Sequence, residues 1–181
     1  MQVLQTQKLQ IGAAGRTYAA HDMGWEEMPA SSAKYLNLNN HLPFLMNRGG
    51  NLVIQLFSRD LAPLGISVPM WRVLAVLAEK GPLRLIDLGL STSIELSTLS
   101  RIVSGMTRKK LVTRALAKEN RRQVTIAITA AGSKTLARAA PIALEYEAKM
   151  TRGLSRDDLE TTKRTLNIAF EKLLEISRHK P

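Results

Sequence analysis

The chain has 181 residues, 45% hydrophobic and 23% charged, an ordinary globular composition long enough for one cored domain with an appended helical element. It contains no cysteine, which excludes a disulfide framework, a thiolate zinc site and a thiol redox switch. The 26 Lys and Arg outnumber 15 Asp and Glu, and the net charge of +11 calls for a polyanionic partner: nucleic acid, an acidic membrane surface or an anionic ligand.

That charge is concentrated. Positions 84 to 122 hold nine basic residues (Arg84, Arg101, Arg108, Lys109, Lys110, Arg114, Lys118, Arg121, Arg122) against Asp87, Glu95 and Glu119. No apolar run approaches the roughly 18 residues that span a bilayer, and the opening "MQVLQTQKLQIGAAG" has no apolar secretory core. The expectation is a cytoplasmic protein without a membrane partner.

Residues 1–36 show no sustained period and collect Gly, Ala, Ser and Pro, so they read as a flexible N-terminal extension. From Asn40, the positions Leu42, Leu45, Met46, Leu52, Val53, Leu56 and Leu61 fall near helical spacing. Gly49 and Gly50 interrupt it at about 1 kcal/mol each relative to Ala, which implies a bend or the close approach of a neighbouring helix or ligand. "SVPMWRVLAVLAEKG" reads as a complete helix, with Ser67 as cap, Pro69 in the first turn and Gly81 left-handed beyond its end. "PLRLIDLGL" is a short amphipathic helix that buries Leu85 and Leu88, with Leu90 as a third candidate. A polar break, "STSIE", precedes a helix over "LSTLSRIVSGMTRKK".

Two β-prone runs, "LVTRALA" and "VTIAIT", flank "KENRRQ" and predict a hairpin with a basic tip. "AAGSKTLARAAPIALEYEAKM" reads as a long helix kinked at Pro141. "LSRDDLETTKRTLNIAFEKLLEISR" closes the chain as a helix, with Ser155 and Asp158 in the positions of a capping box. Leu159, Leu166 and Leu173 repeat there every seven residues, an apolar stripe whose spacing suits a partner helix. Four helices, a hairpin and two helices, with no strand–helix alternation and no internal repeat, make a mainly α fold with a small β-hairpin.

The helix from residue 96 to 110 carries the chemistry. At 100° per residue, Leu96, Leu99, Ile102, Val103 and Met106 form one inward stripe. Ser97, Arg101, Ser104 and Arg108 cluster opposite, with Thr98 at the edge. Small hydroxyl residues let a helix backbone approach a surface closely, and Arg offers a planar fork matched to guanine or to phosphate. A short helix, a brief break and a second helix with this outer face describe a helix-turn-helix, and the hairpin behind it adds a wing. The bland alternatives are a solvated helix face and, for Arg121 and Arg122, a basic tip that keeps a sheet edge soluble.

From about Leu61 to Leu136 the chain resembles the MarR (multiple antibiotic resistance regulator) family of winged helix-turn-helix transcription factors. "APLGISVPMWRVLAVLAEKGPL", "SIELSTLSRIVSGMTRKKLVTR" and "NRRQVTIAITAAG" carry the resemblance, in order and spacing. It implies a homodimer with interlocked N- and C-terminal helices, two winged lobes on an inverted repeat of double-stranded DNA, and a repressor released by a small aromatic or anionic effector. Residues 67–129 would be the DNA-binding domain, and 37–66 with 130–181 the dimerisation region. Carried over by position, Ser97, Thr98 and Arg101 face base edges, Arg108 meets phosphate, and Arg122, with Arg121 beside it, enters the minor groove. Asn120 stands where the family usually has Asp, which removes an ion pair that holds the wing arginine unless Glu119 replaces it.

His41, Arg48 and Trp71 are the candidate effector contacts, against the plainer readings of surface residues for the first two and a core residue for Trp71. No cofactor, metal or enzymatic activity is expected. His21, His41 and His179 are widely spaced, and no nucleophile motif or phosphate-cradling loop is present. The competing functional reading is a sequence-indifferent architectural or RNA-binding protein using the same basic face, and a third is a partner-binding module without DNA activity.

Overall fold

The computed structural model describes residues 37–116 and 124–179. The hairpin tip with Asn120, Arg121 and Arg122, and the extension 1–36, lie outside the described residues. The chain divides into two units, residues 1–47 and 48–181. In the first, Asn37 caps a single 3-10 turn (Leu38–Asn40) by accepting the Asn39 N–H at 3.1 Å, and helix α1 (Leu42–Leu61) begins.

In the second unit α1 runs unbroken through Gly49 and Gly50, and a Cβ added to either meets nothing within 4 Å among the described residues. The bend or close neighbour expected from these glycines is therefore not found among the described residues; a 20-residue helix tolerates the backbone cost without a local partner. Phe57 and Leu61 bury the end of α1, and a 3-10 turn over Ala62–Leu64 leads to α2 (Val68–Lys80). Ser67 caps α2 through the Met70 N–H at 3.4 Å, and Gly81 follows it at φ +77°.

Next comes a two-residue strand, β1 (Leu83–Arg84), where the sequence suggested only helix. Two residues are too few to show an alternation, and β1 exists through its antiparallel pairing with β3 (Val124–Ile128), Leu83 opposite Ile126. Helices α3 (Leu85–Thr92) and α4 (Leu96–Arg108) follow, then β2 (Val112–Leu116), which pairs antiparallel with β3 from Val112–Ile128 to Leu116–Val124. The sheet order is β1-β3-β2. The wing is thus a three-stranded sheet whose third strand starts the helix-turn-helix.

Leu61, Val73, Leu74, Leu77, Leu88, Leu99, Val103, Met106 and Ile126 are 2% exposed or less, so α1, α2, α3, α4 and the sheet share one core. Leu90 and Leu96, expected to face inward, are 54% and 42% exposed. They flank an apolar groove of about 380 Å³ that also touches Phe170 and Leu173.

Helix α5 (Ala130–Met150) is capped by Thr129, whose Oγ1 accepts from Gly132 N–H at 3.0 Å and donates to Lys110 O at 2.7 Å. It continues as one helix through Pro141. Half of the expected capping box of α6 (Arg156–His179) forms, since Asp158 N–H donates to Ser155 Oγ at 3.1 Å, while Asp158 Oδ2 takes the Ser155 hydroxyl at 2.7 Å. Leu159 and Leu166 are half-buried, and Leu173 and Ile176 are 57% and 56% exposed in the single chain. Among the described residues no single helix is long and apolar enough to cross a membrane.

Candidate nucleic-acid interface

The helix-turn-helix is built on a tight joint. α3 ends at Ser93 with φ +52°, and Ile94 N–H returns to Gly89 O at 3.2 Å. A Cβ on Gly89 would sit 3.0 Å from the Leu96 side chain and 3.4 Å from Ile94 O, so the Leu96 side chain would have to yield by a few tenths of an ångström to admit one. Arg72 Nη1 donates to Thr92 O at 3.1 Å, tying the end of α3 to α2. Thr92, buried between them, donates to Leu88 O at 2.7 Å. These bonds fix the angle at which α4 leaves the core.

α4 is anchored by Leu99, Val103 and Met106, and its other side carries Ser97, Thr98, Arg101 and Arg108, all exposed. Among the described residues no ion pair engages Arg101, Arg108, Lys109 or Lys110. The nearby acid Asp87 is committed to Arg84, with contacts of 2.6 and 3.0 Å that hold its carboxyl below the usual range. Arg101 and Arg108 therefore project their charge into solvent. Lys109 Nζ donates to Gly65 O at 2.6 Å and fastens the end of α4 to the α1–α2 connection.

Ser104 differs from its expected neighbours on this face. It is half-buried, donates to Ser100 O at 2.8 Å, and accepts from Arg114 Nη2 at 3.2 Å. The same Arg114 nitrogen reaches Ser100 O at 3.4 Å. Ser104 lies on the flank of α4 that meets β2, where its hydroxyl serves the junction of helix and wing.

Glu95 and Arg114 went unrecognised in the sequence. Glu is not a favoured N-cap, so Glu95 looked like part of a polar break. In the structure it caps α4: its carboxylate accepts from Ser97 N–H at 2.8 Å and Thr98 N–H at 3.0 Å, and from the Ser97 hydroxyl in a short bond. The Ser97 hydroxyl, then the two amides, draw its carboxyl down to about 2. The useful signal was position, an acid immediately before the first apolar-periodic residue.

His41 is half-buried in the first unit, and Arg48 is exposed on α1. Trp71, half-buried on α2, meets Phe57 edge-to-face at 4.9 Å, and Phe57 meets Tyr146 of α5 at 5.7 Å. Tyr146 donates to Asp60 at 2.6 Å, which holds its hydroxyl pKa above the ordinary range. The Trp71 Nε1 is buried and meets no acceptor among the described residues.

A helix-turn-helix with an exposed hydroxyl and arginine face, backed by a three-stranded wing, defines a winged helix-turn-helix protein. The sequence model of the MarR family matches residues 64–123. The HTH-type transcriptional repressor IacR of Pseudomonas putida is 29% identical over 119 residues, 66% of this chain and 71% of that protein. A MarR family transcriptional regulator from Silicibacter pomeroyi has a similar structure, with TM-score 0.72 and 26% identity over 76% of this chain and 93% of its own. CouR from Rhodococcus jostii RHA1, bound to p-coumaroyl-CoA, shares the fold at TM-score 0.67 and 22% identity, over 72% of this chain and 92% of that one. Over residues 64–123 the chain matches the MarR family, and its fold is similar to that of MarR family transcriptional regulators.

Proposed function

We propose that the protein is a homodimeric repressor that binds an inverted-repeat operator in duplex DNA and is released by a small aromatic or anionic effector. The observation that carries this reading is the outer face of α4, where Arg101 and Arg108 are exposed and unpaired among the described residues beside Ser97 and Thr98. Ser97, Thr98 and Arg101 face base edges in the major groove and Arg108 meets phosphate. Arg121 and Arg122, outside the described residues, enter the adjacent minor groove. Ser104 acts from the flank, supporting the helix.

Self-association is supported by the apolar surface left open on the last two helices and the turn between them, where Leu144, Met150, Leu154, Leu173 and Ile176 are each more than half exposed. A two-fold dimer would place its two α4 helices in successive major grooves about one helical turn apart, which makes the operator an inverted repeat. Repression is supported by the name of the IacR relative, and an aromatic effector by the p-coumaroyl-CoA held by CouR. His41, Arg48 and Trp71 are the candidate effector contacts, and the unpaired Trp71 Nε1 offers a donor to a ligand carbonyl or carboxylate.

The test is selection of bound duplexes from a random-sequence library, then titration of the enriched sequence against random duplex across salt. A specific regulator keeps a preference of roughly 10³-fold or more. A ratio near one at every salt concentration would establish the sequence-indifferent reading instead.

A further inference from the structure

Ser97 and Glu95 form one unit at the start of α4. A serine hydroxyl has one hydrogen to donate and two lone pairs to accept with. The hydrogen of Ser97 goes to Glu95, whose carboxylate is held in turn by the Ser97 and Thr98 amides at 2.8 and 3.0 Å. The carboxyl is drawn down to about 2 and is therefore anionic throughout the neutral range. Bonds to an ionised acceptor are roughly twice as strong as neutral ones, so turning the hydroxyl away from Glu95 carries a cost. Ser97 is exposed, and what it shows outward is lone pairs only.

We infer that Glu95 sets base preference through Ser97: it fixes the hydroxyl as an acceptor, so Ser97 reads an amino group, adenine N6 or cytosine N4, and rejects the carbonyl of guanine or thymine at the same strand position. This rests on the DNA-binding reading of α4. The major groove makes such a choice meaningful, because amino and carbonyl groups exchange strands between one base pair and its reverse. The charge of Glu95 works in the same direction, since it repels phosphate and the acceptor-rich edge of guanine. Glu95 touches no base in this scheme; it is a positioning residue, and Ser97 is the reader.

The experiment is selection from random-sequence duplexes with the full chain, run in parallel for wild type, Ser97→Ala, Ser97→Thr and Glu95→Gln, each first shown by circular dichroism to be folded. Wild type should enrich A or C over G or T by about three- to tenfold at one position per half-site, the range of a single hydrogen bond. Ser97→Ala should flatten that position and leave the others intact, while Ser97→Thr, which keeps a hydroxyl beside Glu95, should retain the preference. Glu95→Gln keeps an oxygen for capping but frees the hydroxyl hydrogen, so it should admit G or T at the same position and bind random duplex more tightly than wild type. A cap with no part in reading predicts the wild-type motif in Glu95→Gln, and a Ser97 that reads no base predicts it in Ser97→Ala; either result overturns the inference. So does a wild-type preference for G or T at the position that Ser97→Ala flattens. A wild-type selection with no motif at all removes the sequence-specific reading of the protein itself, and this inference with it.

Discussion

Arg101 and Arg108 lie seven residues, about two turns, apart on α4 and carry different tasks in the proposed complex. A base-edge contact contributes to discrimination, so Arg101→Ala should cost about 1–3 kcal/mol on the selected operator and little on random duplex. A phosphate contact is blind to sequence, so Arg108→Ala should weaken both duplexes alike and reduce the slope of log affinity against log salt by about one. Affinity titrations at several salt concentrations separate the two. If both variants behave identically, the assignment of roles along this face is wrong. Glu95 belongs to the same scale. Its carboxyl sits at about 2 in the fold against an ordinary 4.5, so its contribution to stability is complete above about pH 4.5 and is lost as pH falls toward 2. Glu95→Gln should therefore flatten the part of the stability curve below pH 4.5 and leave the curve near neutrality with the same slope, as read by denaturant melts at stepped pH. The arginines were legible in the sequence because charge survives without structure. Glu95 was not, because capping depends on where the helix starts, and Ser104 was misplaced because helical angle alone does not show that β2 covers that flank.

Elements meet in this protein at a few close contacts that no periodicity announces. A Cβ on Gly132 would lie 2.1 Å from the Leu111 carbonyl oxygen and 2.9 Å from the Ile128 side chain, where the first turn of α5 crosses the base of β2 and β3. Backbone cannot yield as a flexible side chain does, so Gly132→Ala should destabilise the fold by about 3 kcal/mol, visible in thermal melts as a drop of roughly 6–12 °C. An unchanged melting point would mean that α5 is free to shift away from the sheet. Arg114 joins β2 to α4 through Ser104 and Ser100. Arg114→Met keeps the stem and removes the fork, so amide exchange at 112–116 and 124–128 should quicken while the α2 core stays protected. The sequence revealed the helices and the hairpin, since apolar spacing and β-branched runs are local properties. It did not reveal β1, whose two residues owe their strand geometry to a partner some 40 residues away.

At the scale of the molecule, the described residues form one well-closed core and leave a second set of apolar residues that none of them covers. Leu99, Val103 and Met106 are fully buried within the winged unit, whereas Leu173 and Ile176 of α6 remain 57% and 56% exposed. The seven-residue spacing of Leu159, Leu166 and Leu173 already pointed to a partner, because a stripe of that period suits another helix better than it suits solvent. A copy of the same chain packed across a two-fold axis would cover the stripe on both protomers at once. Leu173→Asp with Ile176→Asp places charge on that face without entering the winged core. The double variant should keep its far-ultraviolet spectrum, sediment as a monomer and melt at a temperature independent of concentration, where the wild type's rises with concentration. Operator affinity should then fall by about 10²–10⁴-fold, since two linked lobes gain over one through effective concentration while each half-site contact stays the same. A double variant that stays dimeric would move the interface elsewhere. One that becomes monomeric yet binds the full operator as tightly as wild type would mean that the two lobes do not read DNA together.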